Sequence, residues 1–481
     1  MSIGVLDLAV LLAYMAGMVV LGLWLGRGAR DVAEYAVGSR DLPWWLILFS
    51  IIATETSSVT FLSIPGFAYE RDFTWIQIAL GFLIGRFAAA FLLLPEYFRG
   101  NLFTSYEVLH RRFGGATKQT ASMLFILTRS LADGLRLFLS ALVLQEMTGF
   151  SIPWAVAALG VTTIVYTYVG GMRTVLWSDF IQLILYITGA LVAFGVLLGR
   201  LPGGWDQLVA MGQSAGKFRM LDLSLDWSEP YALWAGLVGG AFITLGSHGV
   251  DQLSVQRYLS ARGLPDARRA LWVSGLVAVA QFALFLLIGV GLWSFYQLHP
   301  PAVPFDRPDR IFARFILDEL PVGLIGLLLG AIFAAAMTSS LNSCATVAVN
   351  DLYLPWARRE VSPERQLRLT RVLTALFGAV QIAVGIAGQW VTSSIVSSIL
   401  GIAAFTTGIV LGVFFLGLFT RRVGQRAALA GLVAGFAGMT WIFFGTSLAW
   451  PWYALAGSLL TVAAGLAASW VWPREEVPAA G

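Results

Sequence analysis

Ala53-Thr54-Glu55-Thr56-Ser57-Ser58, followed at Ser63 by Ser-Ile-Pro-Gly, lies inside an otherwise apolar run that begins near Trp44. The run is long enough to cross a bilayer, and it sets six small or polar residues near the midplane. A helix facing only lipid has no use for them, and a charge such as Glu55 costs about 2.5–3.5 kcal/mol at the bilayer centre on insertion scales. One reading is an unwound stretch whose carbonyls and hydroxyls face a cavity. The other is a helix packed through small residues, its hydroxyls bonded back into the preceding turn.

The rest of the chain is of the same kind. Of 481 residues, 58% are hydrophobic and 12% charged, against roughly 45–50% and about 25% in a soluble domain. Apolar runs near the roughly 20 residues needed for a transmembrane helix recur throughout. About thirteen spans are expected, beginning near Val5, Trp44, Phe73, Gln119, Ile152, Val175, Tyr231, Leu271, Val322, Arg371, Val391, Ala427 and Pro451. The two longest breaks, Arg200 to Pro230 and Leu298 to Pro321, carry mixed charge and are expected to form short surface helices. The stretch from Val5 to Leu25 is of full transmembrane length and ends in Arg27 and Arg30 without a small-residue cleavage site, so it reads as a first span and not a signal peptide.

Basic residues give the expected orientation. With the N-terminus outside, the cytoplasmic loops hold twenty-one Arg and Lys and the outer loops seven. This positive-inside bias puts the C-terminus in the cytoplasm and accounts for the net charge of +4 without a nucleic-acid partner. Cys344 has no partner for an intrachain disulfide, and the three histidines show no metal-ligand spacing. No nucleophile, base and orienting group stand at plausible spacing, so an enzyme is not expected.

Three further polar segments stand out. In the ninth span, Thr338-Ser339-Ser340-Leu341-Asn342-Ser343 offers oxygen ligands for a hard cation such as sodium, Thr338 and Ser339 first among them; a tight helix interface has the same composition. In the fourth, Arg129, Asp133 and Arg136 fall near one helical face, where Arg129 and Asp133 pair. This is either a structural salt bridge or a cavity-facing arginine with its partner. In the sixth, Asp179 follows the turn Gly170-Gly171-Met172-Arg173, placed either to cap the helix and pair with Arg173 or to serve an ion site or gate.

These segments, with Ala36-Val37-Gly38-Ser39-Arg40-Asp41-Leu42-Pro43-Trp44-Trp45, Asp251-Gln252, Val255-Gln256-Arg257 and Asn342-Ser343 leading to Asp351-Leu352-Tyr353, together resemble the sodium:solute symporter family. That group includes the sodium/glucose, sodium/proline and sialic acid transporters. The resemblance covers roughly residues 5–440. It implies an all-α integral membrane protein with a leucine-transporter-type 5+5 inverted-repeat core: a first peripheral span at 5–26, repeats at 43–199 and 230–418, and two peripheral spans at 425–472. By position it implies a sodium site from backbone carbonyls of Ala53, Thr56 and Ala335 and hydroxyls of Thr338 and Ser339. Asp179 matches the acidic residue of a second cation site. The substrate cavity takes in Glu55, Ser57, Thr60, Gln77, Arg129 and Asp133, with Arg129 at a position that meets a substrate carboxylate in the sialic acid branch.

Two features depart from the family pattern. The ninth span is about three residues short between Ala336-Met337 and Leu341-Asn342, so counting back from Asn342 puts Ala335 and Ala336 at the hydroxyl positions, whereas counting forward recovers Thr338 and Ser339. Glu55 stands where many members have Asn or Asp, with Arg129 as a candidate partner or a cationic solute as the alternative. The expected activity is sodium-coupled uptake of a sugar, amino acid or carboxylate across a bacterial-type inner membrane. A transporter-like sensor with a separate output partner, or a sodium-independent or proton-coupled carrier, is the alternative.

Overall fold

With no water to bond exposed N–H and C=O groups, a chain crossing lipid closes its backbone hydrogen bonds within helices, and this chain does so along its length. The computed structural model describes residues 4–473 apart from 27–31, 57, 101, 302–303, 306, 335–337, 358–359 and 391–394. Among the described residues there is no β-strand, only two isolated bridges.

Helices α1 (Val5–Gly26) and α2 (Val32–Val37) lead to α3 (Trp44–Glu55) and α4 (Ser58–Glu70). Then come α5 (Ile76–Leu92), α6 (Leu94–Tyr97), α7 (Glu107–Phe113), α8 (Gly115–Thr148) and α9 (Ile152–Arg200). The short α10 (Gly204–Ser214) precedes α11 (Gly240–Gly249), α12 (Gln252–Leu259) and α13 (Leu264–Leu298). The remainder is α14 (Asp309–Glu319), α15 (Leu324–Ala334), α16 (Thr338–Val347), α17 (Pro363–Ala387), α18 (Ile395–Phe419), α19 (Gln425–Gly445) and α20 (Tyr453–Val471). The two long charged breaks do form short helices, α10 and α14.

Among the described residues, seven helices are long and apolar enough to cross a membrane, and the bent pair α3–α4 makes an eighth. That is fewer than thirteen, for identifiable reasons. At 49 residues and about 1.5 Å per residue, α9 is more than twice the thickness of a bilayer core and combines two expected spans. It bends at Gly171, whose backbone (φ 60, ψ −163) is non-helical. A Cβ there would lie 2.8 Å from the Tyr35 carbonyl oxygen, so glycine meets both the left-handed conformation and the close approach. Of the other expected spans, α8 carries Arg129, Asp133 and Arg136, and α5 and α15 are short. The molecule is a multi-pass, all-helical membrane protein.

Its buried apolar side chains form two main clusters. One contains Leu46 to Ala53 of α3 with Leu176, Val255 and Tyr258; the other contains Phe61 to Ala68 of α4 with Tyr186, Phe285 and Phe312. The polar stretch at Thr54–Thr60 lies between them. One helix could not run straight through both cores without burying that polar segment in one of them.

Candidate functional site

The break between α3 and α4 is where the sequence turned polar. The two halves are bent by 55°. Thr56 caps the C-terminal end of α3 with φ −79 and ψ 59, so its carbonyl leaves the helix direction, while its own N–H still bonds to Ile52 O at 2.8 Å. One feature of each expected alternative is seen at this segment, the break of the first and the back-bonded hydroxyls of the second. The helix does break, and several hydroxyls are bonded back to the backbone: Thr54 Oγ1 to Ser50 O at 2.7 Å, Thr56 Oγ1 to Ile52 O at 2.7 Å and Thr60 Oγ1 to Glu55 O at 2.8 Å. Ser57 lies outside the described residues.

Glu55, the charge at the break, is paired with Arg86 of α5 and not with Arg129. The correction has a steric origin. Gly81 and Gly85 let α5 approach the helical segment around Gly236–Ala241 so closely that a Cβ on Gly81 would lie 2.1 Å from Gly236 O, and one on Gly85 2.2 Å from Ala241 O. The next residue, Arg86, is thereby fully buried between the break and α11. Its Nη2 also stands 3.5 Å from His248 Nε2, and His248 Nδ1 is 2.8 Å from the Tyr258 hydroxyl. The tautomer with the proton on Nδ1 satisfies both contacts, donating to Tyr258 and offering Nε2 to the guanidinium. Arg86 went unnoticed in the sequence, although a lone arginine in the apolar run Ile76–Leu92 is itself a signal of a buried partner.

Thr56 is held by a second unexpected side chain, Gln281 of α13, whose Nε2 is 2.7 Å and Oε1 3.0 Å from Thr56 Oγ1. Asp179 is paired neither with Arg173 nor with its own helix start. Arg257 of α12 donates from Nη2 to Asp179 Oδ2 at 2.9 Å and from Nε to Ser50 Oγ at 2.8 Å, and Ser50 Oγ in turn donates to Asp179. Arg257 is brought within reach because all eight residues of α12 are buried. Gln252 bonds to the 103–105 segment, and Gln256 donates to Ala36 O and Asn342 Oδ1, both at 2.6 Å, while accepting from Ser343.

Arg129 does pair with Asp133, at 2.8 Å, and Arg136 takes the other carboxylate oxygen at 3.1 Å. The amide of Gln77 bonds to Tyr231 O at 2.8 Å and accepts from Asp222 N at 3.3 Å, pinning the 222–231 loop over the first turn of α5. Of the carried-over sodium ligands, Ala53 and Thr56 are buried; Ala335 lies outside the described residues, and Thr338 and Ser339 open α16. Among the described residues no cluster of His, Cys, Asp and Glu could hold a metal ion. The polar groups described at the break are backbone carbonyls, threonine hydroxyls bonded back to the backbone and the Arg86-paired carboxylate of Glu55.

Residues 35–435 match the model of the sodium:solute symporter family. The chain belongs to that family. It is accordingly a transporter and not an enzyme, and sodium is the coupling ion. The sodium/sialic acid symporter NanT of Aliivibrio fischeri is 30% identical over 96% of this chain and 93% of its own length. The human sodium/iodide cotransporter is 29% identical over 89% of this chain and 68% of its own. Among solved structures, the substrate-bound outward-open state of a Na+-coupled sialic acid symporter superposes with a TM-score of 0.91 at 26% identity, covering 98% of this chain and all of that one. A nucleobase-cation-symport-1 family transporter in a closed conformation, at 12% identity and a TM-score of 0.60, shares the fold alone.

Proposed function

We propose that this protein carries a small organic solute, a sugar, amino acid or carboxylate, into the cell together with sodium by alternating access. The observation that carries the reading is the break at Thr56, where two half-helices end at a polar segment between two apolar cores. In this reading sodium is held by the carbonyls of Ala53, Thr56 and Ala335 and the hydroxyls of Thr338 and Ser339, so that the ion joins the broken span to the start of α16. Asp179 serves a second cation site once Arg257 withdraws. Solute occupies the cavity beside Glu55, Ser57, Thr60, Gln77, Arg129 and Asp133.

Binding energy drives the cycle only through its difference between states. Sodium that bridges the two helices favours the form open to the outside; closure then exposes ion and solute to the cytoplasm. One inward sodium yields about 2.3 kcal/mol per 100 mV of membrane potential, with its concentration gradient in addition. Part of the same proposal are thirteen spans, repeats at 43–199 and 230–418, an outside N-terminus and a cytoplasmic C-terminus in a bacterial-type inner membrane.

The test is uptake into proteoliposomes under an imposed sodium gradient, with solutes first chosen by sodium-dependent thermal stabilisation of the purified protein. Sialic acid is the first candidate, because the bacterial relatives are named for it. Uptake that is indifferent to the sodium gradient overturns the coupling.

A further inference from the structure

We infer that Gln281 is a positioning residue for sodium: from outside the ion site it fixes Thr56, so that Thr56 turns its carbonyl and not its hydroxyl towards the ion. The inference rests on the sodium site proposed at the break. Gln281 sits in the middle of α13, with Ala-Val-Ala before it and Phe-Ala-Leu after it, and it is 5% exposed. A primary amide buried at that depth needs a hydrogen-bond partner. The partner it has is the Thr56 hydroxyl, on the residue that caps the C-terminal end of α3.

The bonding pattern decides what Thr56 can offer. A hydroxyl has one proton and two lone pairs. The proton has two acceptors in reach, Ile52 O at 2.7 Å and Gln281 Oε1 at 3.0 Å, and Gln281 Nε2 donates to the hydroxyl oxygen at 2.7 Å. The side chain is thus tied down by its own helix and by α13. What remains to face the gap between α3 and α4 is the carbonyl, swung out of the helix direction by a ψ of 59. Without Gln281 the hydroxyl can rotate, the last turn of α3 can extend, and the carbonyl loses its set direction.

A purely structural bond between α3 and α13 would lower stability equally with and without sodium. The experiment therefore measures the thermal unfolding midpoint of the full-length protein in detergent against NaCl, with choline chloride holding ionic strength constant. Wild type, Gln281→Leu, Thr56→Val and the double variant are compared. The expected result is that each single variant raises the half-saturating sodium concentration about three- to tenfold, the span of one net hydrogen bond. The double variant should be no worse than the poorer single. If Gln281→Leu does not fold, Thr56→Val reports on the same bond. Half-saturation unchanged in the variants, with midpoints lowered equally at all sodium concentrations, overturns the positioning role while leaving the sodium site standing. A wild type that does not respond to sodium specifically overturns both.

Discussion

Arg257 Nη2 lies 2.9 Å from Asp179 Oδ2, and the two side chains are 1% and 4% exposed. With Ser50 between them, the pair joins α3, α9 and α12, three helices that are far apart in sequence. A guanidinium fills the place at Asp179 where a second cation is proposed, so in that proposal the ion and Arg257 compete for one carboxylate. Removing one partner of a buried pair costs about 3–5 kcal/mol because the other charge is stranded, whereas removing both is often close to neutral. Asp179→Asn and Arg257→Gln should each lower the unfolding midpoint in detergent sharply, and the double variant should recover much of the loss. Additive losses in the double variant would mean that the two charges are not coupled.

The Asp7 carboxylate of α1 accepts from Gly323 N at 2.6 Å and Gly326 N at 3.0 Å. Free N–H groups at a helix start need an acceptor, and a negative charge is favoured there; here a different helix supplies it to α15. Asp7→Ala should destabilise by about 1–2 kcal/mol, the upper range for a lost cap. Asp7→Asn, which keeps an acceptor, should cost less. Equal midpoints for the two variants would show that the carboxylate does not act as a cap.

Which parts of this were legible in the sequence follows from the range of each signal. Membrane character, the polar break at Ala53–Ser58 and the Arg129–Asp133 pair are local properties of composition and helical spacing, and they could be read directly. The partners of Glu55 and Asp179 could not. The resemblance offered Arg129 for Glu55 and proximity offered Arg173 for Asp179, but the structure supplies Arg86 and Arg257, brought in by the close glycine contact of α5 and by the buried, polar α12. Gln281 gave no sequence pattern at all, since a single amide in an apolar helix says that it needs a partner and not which one. Residues 335–337, where the shortened stretch begins, lie outside the described residues.

Arg112 closes the opposite kind of helix end. Its Nε donates to Gly417 O at 3.1 Å, Nη2 to Thr420 O at 2.5 Å and Nη1 to Val423 O at 3.3 Å, so one guanidinium serves the final carbonyls of α18 and the turn after it. A planar fork can reach three acceptors that an ammonium cannot. Arg112→Lys should therefore behave like Arg112→Ala, with amide exchange at 420–424 accelerated roughly tenfold for about 1.4 kcal/mol of lost protection. Protection retained in the lysine variant would show that charge alone suffices.

The pair of Glu55 with Arg86 decides the charge of the break. Glu55 ends α3, where the helix dipole is already negative, and its side chain is 19% exposed while that of Arg86 is wholly buried. Arg86→Gln should leave an uncompensated carboxylate beside the proposed ion and solute sites, with a loss of about 3–5 kcal/mol if the carboxylate stays ionised. Adding Glu55→Gln removes that charge and should restore more than half of the lost midpoint. The same comparison separates stability from transport. The double variant keeps the break neutral, so the midpoint should return if Arg86 serves only to neutralise Glu55, while uptake should stay low because Glu55 also lines the proposed solute cavity. A double variant as unstable as Arg86→Gln alone would place the work of Arg86 in its contact with His248.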